Sequence, residues 1–370
     1  MRTVCENNQC AGCMACVDIC PTGAVSIIDN LKSYNAIIDE NKCMNCNTCH
    51  KMCQKNNPVK CENTIQWWQG WNENEAEREK SSSGGLATAI ASSFINNGGI
   101  VWACTFEQGE FRFECAEHQK ELSRFVGSKY VKSNPIGVYK KIKEALKSGE
   151  KVLFIGLPCQ VGALKKYIGE ILGENLYTID LICHGTPSPQ LLEIFLNQYN
   201  KSLNNIQKIS FRIKAKFMIY ADGKGIITKG VSDRYSIAFL NSLIYTDNCY
   251  NCYYAQKKRI SDLTIGDSWG SEIKIQEKKK GVSLILCQTL KGIELVKNSD
   301  VHLENVDINM AIKNNHQLEH PSFEPRGRRN FFKNIDKINF NLLVLKNFPK
   351  VCIKQDIKQM LINLNIIKSK

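Results

Sequence analysis

The sequence predicts two units in series: a small α+β module organised by cysteines over residues 1–62, and an α/β body behind it. Two observations carry this. Eight cysteines fall in two identically spaced runs within the first 53 residues. Beyond residue 99, short apolar runs alternate with amphipathic helical stretches, the rhythm of βαβ units. With 43% hydrophobic residues in 370, the chain has enough apolar material for a sizeable core in two or three domains.

The first run is Cys10-x2-Cys13-x2-Cys16-x3-Cys20, followed by Pro21; the second is Cys43-x2-Cys46-x2-Cys49-x3-Cys53. This is the bacterial ferredoxin spacing, so the module is expected to be ferredoxin-like and to hold two 4Fe–4S clusters. Three thiolates two residues apart wrap one iron–sulfur cube, and the fourth reaches across to the other. The expected ligand sets are therefore crossed: Cys10, Cys13, Cys16 and Cys53 on one cube, Cys43, Cys46, Cys49 and Cys20 on the other. A zinc site would need four ligands in two pairs, and a disulfide framework an oxidising compartment.

A polar stretch, 63–80, reads as a linker or a solvated helix start, with the charge pattern Asn72 to Lys80. A helix is expected over Leu86 to Asn96. Strands are expected at 99–104, 111–116, 151–156 and 176–183, with helices over 138–147, from Cys159 to Tyr167, and over 189–199. Later strands are expected at 206–213, 262–266 and 282–287. The resulting division is 81–185 and 186–325 for the body and 326–370 for a basic helical tail.

A second cysteine set is spread along the body. Cys159 follows one expected strand end and Cys183 the next, and Cys249-x2-Cys252 forms a pair further on. Consecutive parallel strands put their carboxyl ends side by side, where ligands bind, so Cys159 and Cys183 would face one crevice. With Cys249 and Cys252 they make four thiolates, enough for one more 4Fe–4S cluster or a four-thiolate zinc site; the alternative is ordinary buried thiols. Cys5, Cys61, Cys104, Cys115, Cys287 and Cys352 carry no assigned role. Ser82, Ser83, Gly84 and Gly85 open a helix whose free N–H groups suit an anion. Lys129 offers a cation, and Asp267 and Trp269 follow a strand end. His184, beside Cys183, is the candidate proton-handling residue.

Six motifs occur in order: Ser81-Ser-Ser-Gly-Gly-Leu86, Gly127-Ser-Lys-Tyr130, Gly156-Leu-Pro-Cys-Gln-Val161, Cys183-His-Gly-Thr-Pro-Ser188, Cys249-x2-Cys252 and Ser261-Asp-Leu-Thr-Ile-Gly-Asp-Ser-Trp-Gly270. Together they resemble the family of coenzyme F-420 hydrogenase/dehydrogenase beta subunits from about residue 81 to 292, with the ferredoxin module fused in front. The resemblance implies an α/β flavin and iron–sulfur domain. It also implies FAD held by Ser82, Ser83, Gly84, Gly85, Lys129, Asp267 and Trp269, and a third cluster on Cys159, Cys183, Cys249 and Cys252. Electrons from a low-potential donor, such as a ferredoxin or a partner redox subunit, would then pass through the clusters to FAD and a small organic acceptor. Chains with the same fusion occur in cell-surface polysaccharide gene sets. Two other readings stay open: an electron-transfer subunit without its own substrate site, and a binding or regulatory module with structural zinc.

The net charge of +13 is spread as lysines, with Arg326-Gly-Arg-Arg329 the densest spot. It suits solubility or an acidic docking partner. No nucleic-acid motif accompanies it. No 18-residue apolar run is present, so no integral membrane segment is expected. Met1 to Cys5 lacks the apolar core of a secretion signal, so a cytoplasmic location is expected. Oxygen-labile clusters would suit an anaerobic or well-reduced cell.

Overall fold

The computed structural model describes residues 2–368. The cysteine module is a three-stranded antiparallel sheet, β1 (Arg2–Thr3), β2 (Val25–Asp29) and β3 (Tyr34–Ile38), with β3 in the middle. Two short helices, α1 (Ala15–Asp18) and α2 (Thr48–Met52), carry the third cysteine of each run. The two runs share a backbone device. Gly12 and Asn45, each two residues after the first cysteine, have φ of 68° and 57°, and Met14 and Asn47, each one after the second, have 61°. The left-handed turns aim backbone N–H groups at sulfur: Gly12 donates to Cys10 Sγ and Asn45 to Cys43 Sγ, both at 3.4 Å.

The body is built on one eight-stranded mixed sheet. Its strands are β4 (Gln66–Asn72), β5 (Ile100–Glu107), β6 (Glu110–Ala116), β7 (Val152–Gly156), β8 (Leu176–Leu181), and, after a separate small sheet of β9 (Ile209–Ile213), β10 (Lys216–Ala221) and β11 (Lys224–Gly225), β12 (Leu263–Asp267), β13 (Ser283–Cys287) and β14 (Val301–Glu304). The order is β14-β4-β13-β12-β8-β7-β5-β6. The central four, β12, β8, β7 and β5, are parallel; the outer strands pair antiparallel. Alternation along each strand feeds two cores. Leu153, Ile179 and Ile265 meet α3 (Leu86–Asn96) and α4 (Leu290–Lys297), while Phe154, Val152 and Trp102 meet α5 (Val138–Lys147) and α6 (Pro158–Ile168). The expected strands and helices of the 81–185 segment all form, with ends shifted by at most a few residues.

The expected linker 63–80 is a correction. Gln66–Asn72 is an interior strand between β13 and β14, and Trp67 and Trp68 pack on opposite faces of the sheet. The aromatic pair with period-two alternation favours a strand, and the acidic run only begins at its far end. There Glu75–Lys80 is a helix capped by Asn74, whose side chain accepts from the Glu77 N–H. The boundary at 185 is likewise not a physical one, because β12, β13 and β14 complete the sheet begun by β5 to β8. The basic tail also proves to be core. Phe331, Phe340, Leu343 and Val344 are buried with Phe195, Phe211 and Tyr235, and each large side chain so buried contributes about 1.5–3 kcal/mol.

The cysteine module docks flush on the body. Cys13 and Ala15 share a core with Val161, Leu164 and Tyr254. Tyr139 donates its hydroxyl to the Cys13 carbonyl at 2.8 Å, and Asp18 Oδ1 accepts from the Gly137 N–H at 2.7 Å. Arg259, fully buried, pairs with buried Asp180 on β8 at 2.5 Å and donates to the Tyr254 carbonyl, while its backbone exchanges hydrogen bonds with Glu62. Replacing Asp180 by Ala strands that guanidinium and should cost about 3–5 kcal/mol, read as a lowered urea midpoint. Asp180→Ala at unchanged midpoint would show the pair is idle.

Candidate metal centres and the sheet-end crevice

The eight module thiols gather in two places. Cys10, Cys13 and Cys16 are buried, and Cys53 lies with them: Cys13 and Cys16 are pushed up by burial and then by the negative charge of their neighbours, which include Cys10 and Cys53 for both. Cys20, Cys43, Cys46 and Cys49 line one small pocket with Pro21, Met44 and Thr48. Each gathering thus takes three thiols from one run and the fourth from the other. The second lies at the surface, where Cys46 is exposed. Donors surround the sulfurs: Ala24 N–H to Cys20 at 3.2 Å and the Thr48 hydroxyl to Cys46 at 3.3 Å. Cys5, which the sequence left without a role, is buried in one cluster with Cys10 and Cys16, against which Cys53 packs; its closeness to Cys10 and Cys53 raises its own pKa and lowers that of Cys53 to about 6. Lying five residues before Cys10, outside the repeated spacing, it gave no signal in the sequence.

The sheet end gathers four more. Cys159 opens α6 straight after β7, Cys183 follows β8, and Cys249 and Cys252 come from the turn at 247–252. Cys159 is pushed up to about 12 by burial, against the pull of Lys132, with Cys252 and Cys249 adding to the rise. Cys183 is raised by burial and then by Cys249, Cys159 and Cys252. The Thr186 N–H donates to Cys249 at 3.5 Å. Among the described residues no three His, Cys, Asp or Glu side chains converge on a single-ion distance; a four-iron cube spreads its ligands wider. This set adjoins the buried module set: Cys13 feels the charge of Cys159, and Tyr139 and Tyr254 feel both. Gly162 admits Tyr254, since a Cβ there would lie 2.2 Å from its hydroxyl oxygen.

Beyond the sheet end lies a crevice that one residue organises. Buried Arg212 on β9 grips Asp267 with two bonds, 2.7 and 3.0 Å, and donates to the Ser82 carbonyl at 2.8 Å and the Tyr130 hydroxyl at 3.1 Å. Its guanidinium carbon lies 5.6 Å from the Trp269 ring centroid. The Gln317 amide donates to His184 Nδ1 at 2.8 Å, and burial, then His316, push that imidazole down to about 4. The structure therefore brings Ser82, Asp267, Trp269 and His184 towards one place. Arg212 and Gln317 were missed by sequence reasoning; Arg212 sits where strand alternation points outward, and only the crossing of the small sheet over the crevice buries it.

The helix start at Gly85 carries no side-chain cap, while the residues just before it are partly engaged. Gly84 donates its N–H to Ser283 Oγ at 3.0 Å, Ser82 Oγ accepts from the Ser128 N–H at 2.8 Å, and Ser83 donates to the Val282 carbonyl at 2.9 Å. A Cβ at Gly84 would meet the Gly70 carbonyl at 2.6 Å, so close packing on β4 requires that glycine. Lys129, pushed down to about 8 by burial, donates to the Phe125 carbonyl at 2.7 Å. Of the groups expected to face a flavin, the Ser82 and Ser83 hydroxyls, the Gly84 N–H, the Lys129 ammonium and the Asp267 carboxylate are used inside the chain, while the first turn of α3 keeps its N–H donors uncapped. The thiol sets, with their sulfur-directed donors, do fit iron–sulfur cubes.

The crossed gathering has a direct consequence. Cys20→Ser should damage the same EPR signal as Cys46→Ser, and Cys53→Ser the same as Cys13→Ser. Pairing of Cys20→Ser with Cys13→Ser instead would overturn it.

Comparison with known proteins agrees with the motif order. The model for the C terminus of the coenzyme F420 hydrogenase/dehydrogenase beta subunit matches residues 149–309, and that for a 4Fe–4S dicluster domain matches 9–57. The F subunit of F420H2 dehydrogenase from Methanosarcina mazei is 23% identical over 286 residues, 72% of this chain and 79% of that one. A coenzyme F420-dependent sulfite reductase of Methanocaldococcus jannaschii is 23% identical over 251 residues, 60% of this chain but 38% of that protein. A chain in the F420-reducing [NiFe] hydrogenase complex of Methanosarcina barkeri is similar at a TM-score of 0.49 and 18% identity, over 70% of this chain and 90% of that one. Over residues 149–309 the chain is thus similar to the C-terminal part of coenzyme F420 hydrogenase/dehydrogenase beta subunits, with a match to a 4Fe–4S dicluster domain in front of it.

Proposed function

We propose that this chain is an electron-transfer subunit that moves single electrons between a redox partner docked at the exposed thiol set and an acceptor at the sheet-end crevice. The observation that carries this reading is the serial order of three four-thiol sets. One is exposed at Cys46, one is buried between module and body, and one lies at the sheet end, with Cys13 and Cys159 within each other's field. The dicluster match supports the first two as 4Fe–4S sites, and the names of the relatives, part of a dehydrogenase and an F420-dependent reductase, support a redox role.

When bound, a cube supplies one-electron storage. The rest is the work of this chain's residues. Twelve cysteines ligate. Backbone N–H groups of Gly12, Ala24, Asn45 and Thr186 aim at sulfur and steady negative charge. Tyr139, Tyr254 and Val161 fill the space between the inner two sets and keep water out. His184, neutral through burial, holds its Nδ1 as an acceptor from Gln317, which leaves Nε2 as the protonated atom, and the charges of Asp267 and Arg212 both reach the ring. A redox partner with an acidic face suits the net charge of +13. Among the described residues no helix is long and apolar enough to cross a membrane.

A second reading, a reductase with its own organic acceptor site, is favoured by one feature: a cleft of about 330 Å³ lined by Trp269, Ser268, Gln69, Glu272, Glu304 and Asp307. FAD is the finer element of that reading. The uncapped start of α3 at Gly85 would be its anion contact.

Anaerobically purified protein should contain about twelve irons, four for each cube, and Cys159→Ala, Cys183→Ala and Cys252→Ala should each lose the same four while the module signals persist. Stoichiometric zinc with about eight irons would replace the third cluster by a structural zinc. Flavin analysis and dithionite-driven turnover of small acceptors by the isolated chain separate the two redox readings: turnover without a partner sinks the pure electron-transfer reading.

A further inference from the structure

Among the described residues four arginines are buried, and each has a carboxylate: Arg78 with Glu277, Arg212 with Asp267, Arg259 with Asp180 and Arg328 with Asp247. Lys132 is the one lysine among the described residues that is equally buried, at 4% exposure, and no carboxylate pairs with it. Its ammonium donates to the Ala11 carbonyl, inside the first cysteine run, at 3.0 Å and sits 5.2 Å from the Tyr34 ring centroid. The lysine stem crosses Gly12 so closely that a Cβ there would lie 2.8 Å from Lys132 Cδ. Its backbone N–H donates to the Pro187 carbonyl, four residues beyond Cys183, at 2.9 Å. The positive charge acts on one thiol of each inner set, Cys10 and Cys159.

A buried ammonium without an anion is costly. Here the compensating charge is that of the two thiolate sets themselves. We propose that Lys132 is the shared counter-charge of the buried module cube and the sheet-end cluster, and that it sets the potential of both. The inference rests on the iron–sulfur reading above. A four-thiolate cube is anionic and gains one more negative charge on reduction. A fixed cation in a low-dielectric setting stabilises the reduced form more than the oxidised form. Each hop takes one electron from one cluster and adds it to the next, and no bond is made or broken. The outer set, Cys20, Cys43, Cys46 and Cys49, lies outside this arrangement and serves as an internal reference.

The test is EPR-monitored potentiometric titration of anaerobic Lys132→Met, Lys132→Gln and Lys132→Arg full-length protein, after iron analysis. Gln keeps a donor for the Ala11 carbonyl but removes the charge; Arg keeps the charge. Met and Gln should each lower the one-electron reduction constant of both inner clusters at least tenfold, about 59 mV, with the outer cluster unmoved and Arg close to the unmodified protein. Unchanged inner potentials in Lys132→Gln at full iron content would overturn the proposal. So would an equal shift of all three clusters, or iron lost from Met and Gln but kept in Arg, which would make the charge an assembly requirement only. Protein that never holds iron fails the iron–sulfur reading instead, and is distinguished at the first step.

Discussion

The buried ion pair between Asp180 and Arg259 is the tie on which the arrangement depends. Asp180 lies near the end of β8, three residues before Cys183. Arg259 follows the Cys249 and Cys252 turn, and its backbone pairs with Glu62 at the end of the cysteine module. One guanidinium therefore fixes the sheet end, the thiol-bearing turn and the docked module relative to one another. Two charges in a dry interior are held only by close pairing and further hydrogen bonds, which Thr264 and the Tyr254 carbonyl supply. The same logic recurs at Arg212 and Asp267 on the crevice side.

From that tie follows the order of the thiol sets. The module is not a separate bead on a linker. Its buried set shares a hydrophobic core with α6, the helix that presents Cys159. Parallel strands β7 and β8 place Cys159 and Cys183 at neighbouring carboxyl ends, as the geometry of a parallel sheet requires. The distance between the buried module thiols and the sheet-end thiols is thus set by packing rather than by a flexible joint. On the proposed reading, substitutions in the shared core, such as at Tyr139 or Tyr254, act on transfer between the sets as well as on stability.

Much of this was legible in the sequence, for identifiable reasons. The cysteine runs declare themselves by spacing, and β5 to β8 with their helices by period. What stayed hidden depends on tertiary contact. Gln66–Asn72 is short, aromatic and followed by an acidic run, and it becomes an interior strand only because β13 and β14 flank it. The serine and glycine helix start carries the look of an anion site, and only tertiary contact shows that Ser283, Ser128 and Val282 take the Gly84 N–H and the two serine hydroxyls while the first turn stays uncapped. Arg212, Gln317 and Lys132 sit in no recognisable pattern; their burial makes them matter, and burial is not written in spacing. The lysine-rich C-terminal stretch conceals Phe331 and Phe340 because their period is broken across two short helices.

The central claim is that electrons cross the three sets in series. Freeze-quench EPR after mixing with a reduced protein-sized donor tests it most directly, comparing the unmodified chain with Cys13→Ser, which removes the middle cube. In Cys13→Ser the outer cluster should still reduce at its normal rate, while the sheet-end signal fails to appear on the same time scale. Reduction of the sheet-end cluster at an unchanged rate in Cys13→Ser would contradict transfer in series.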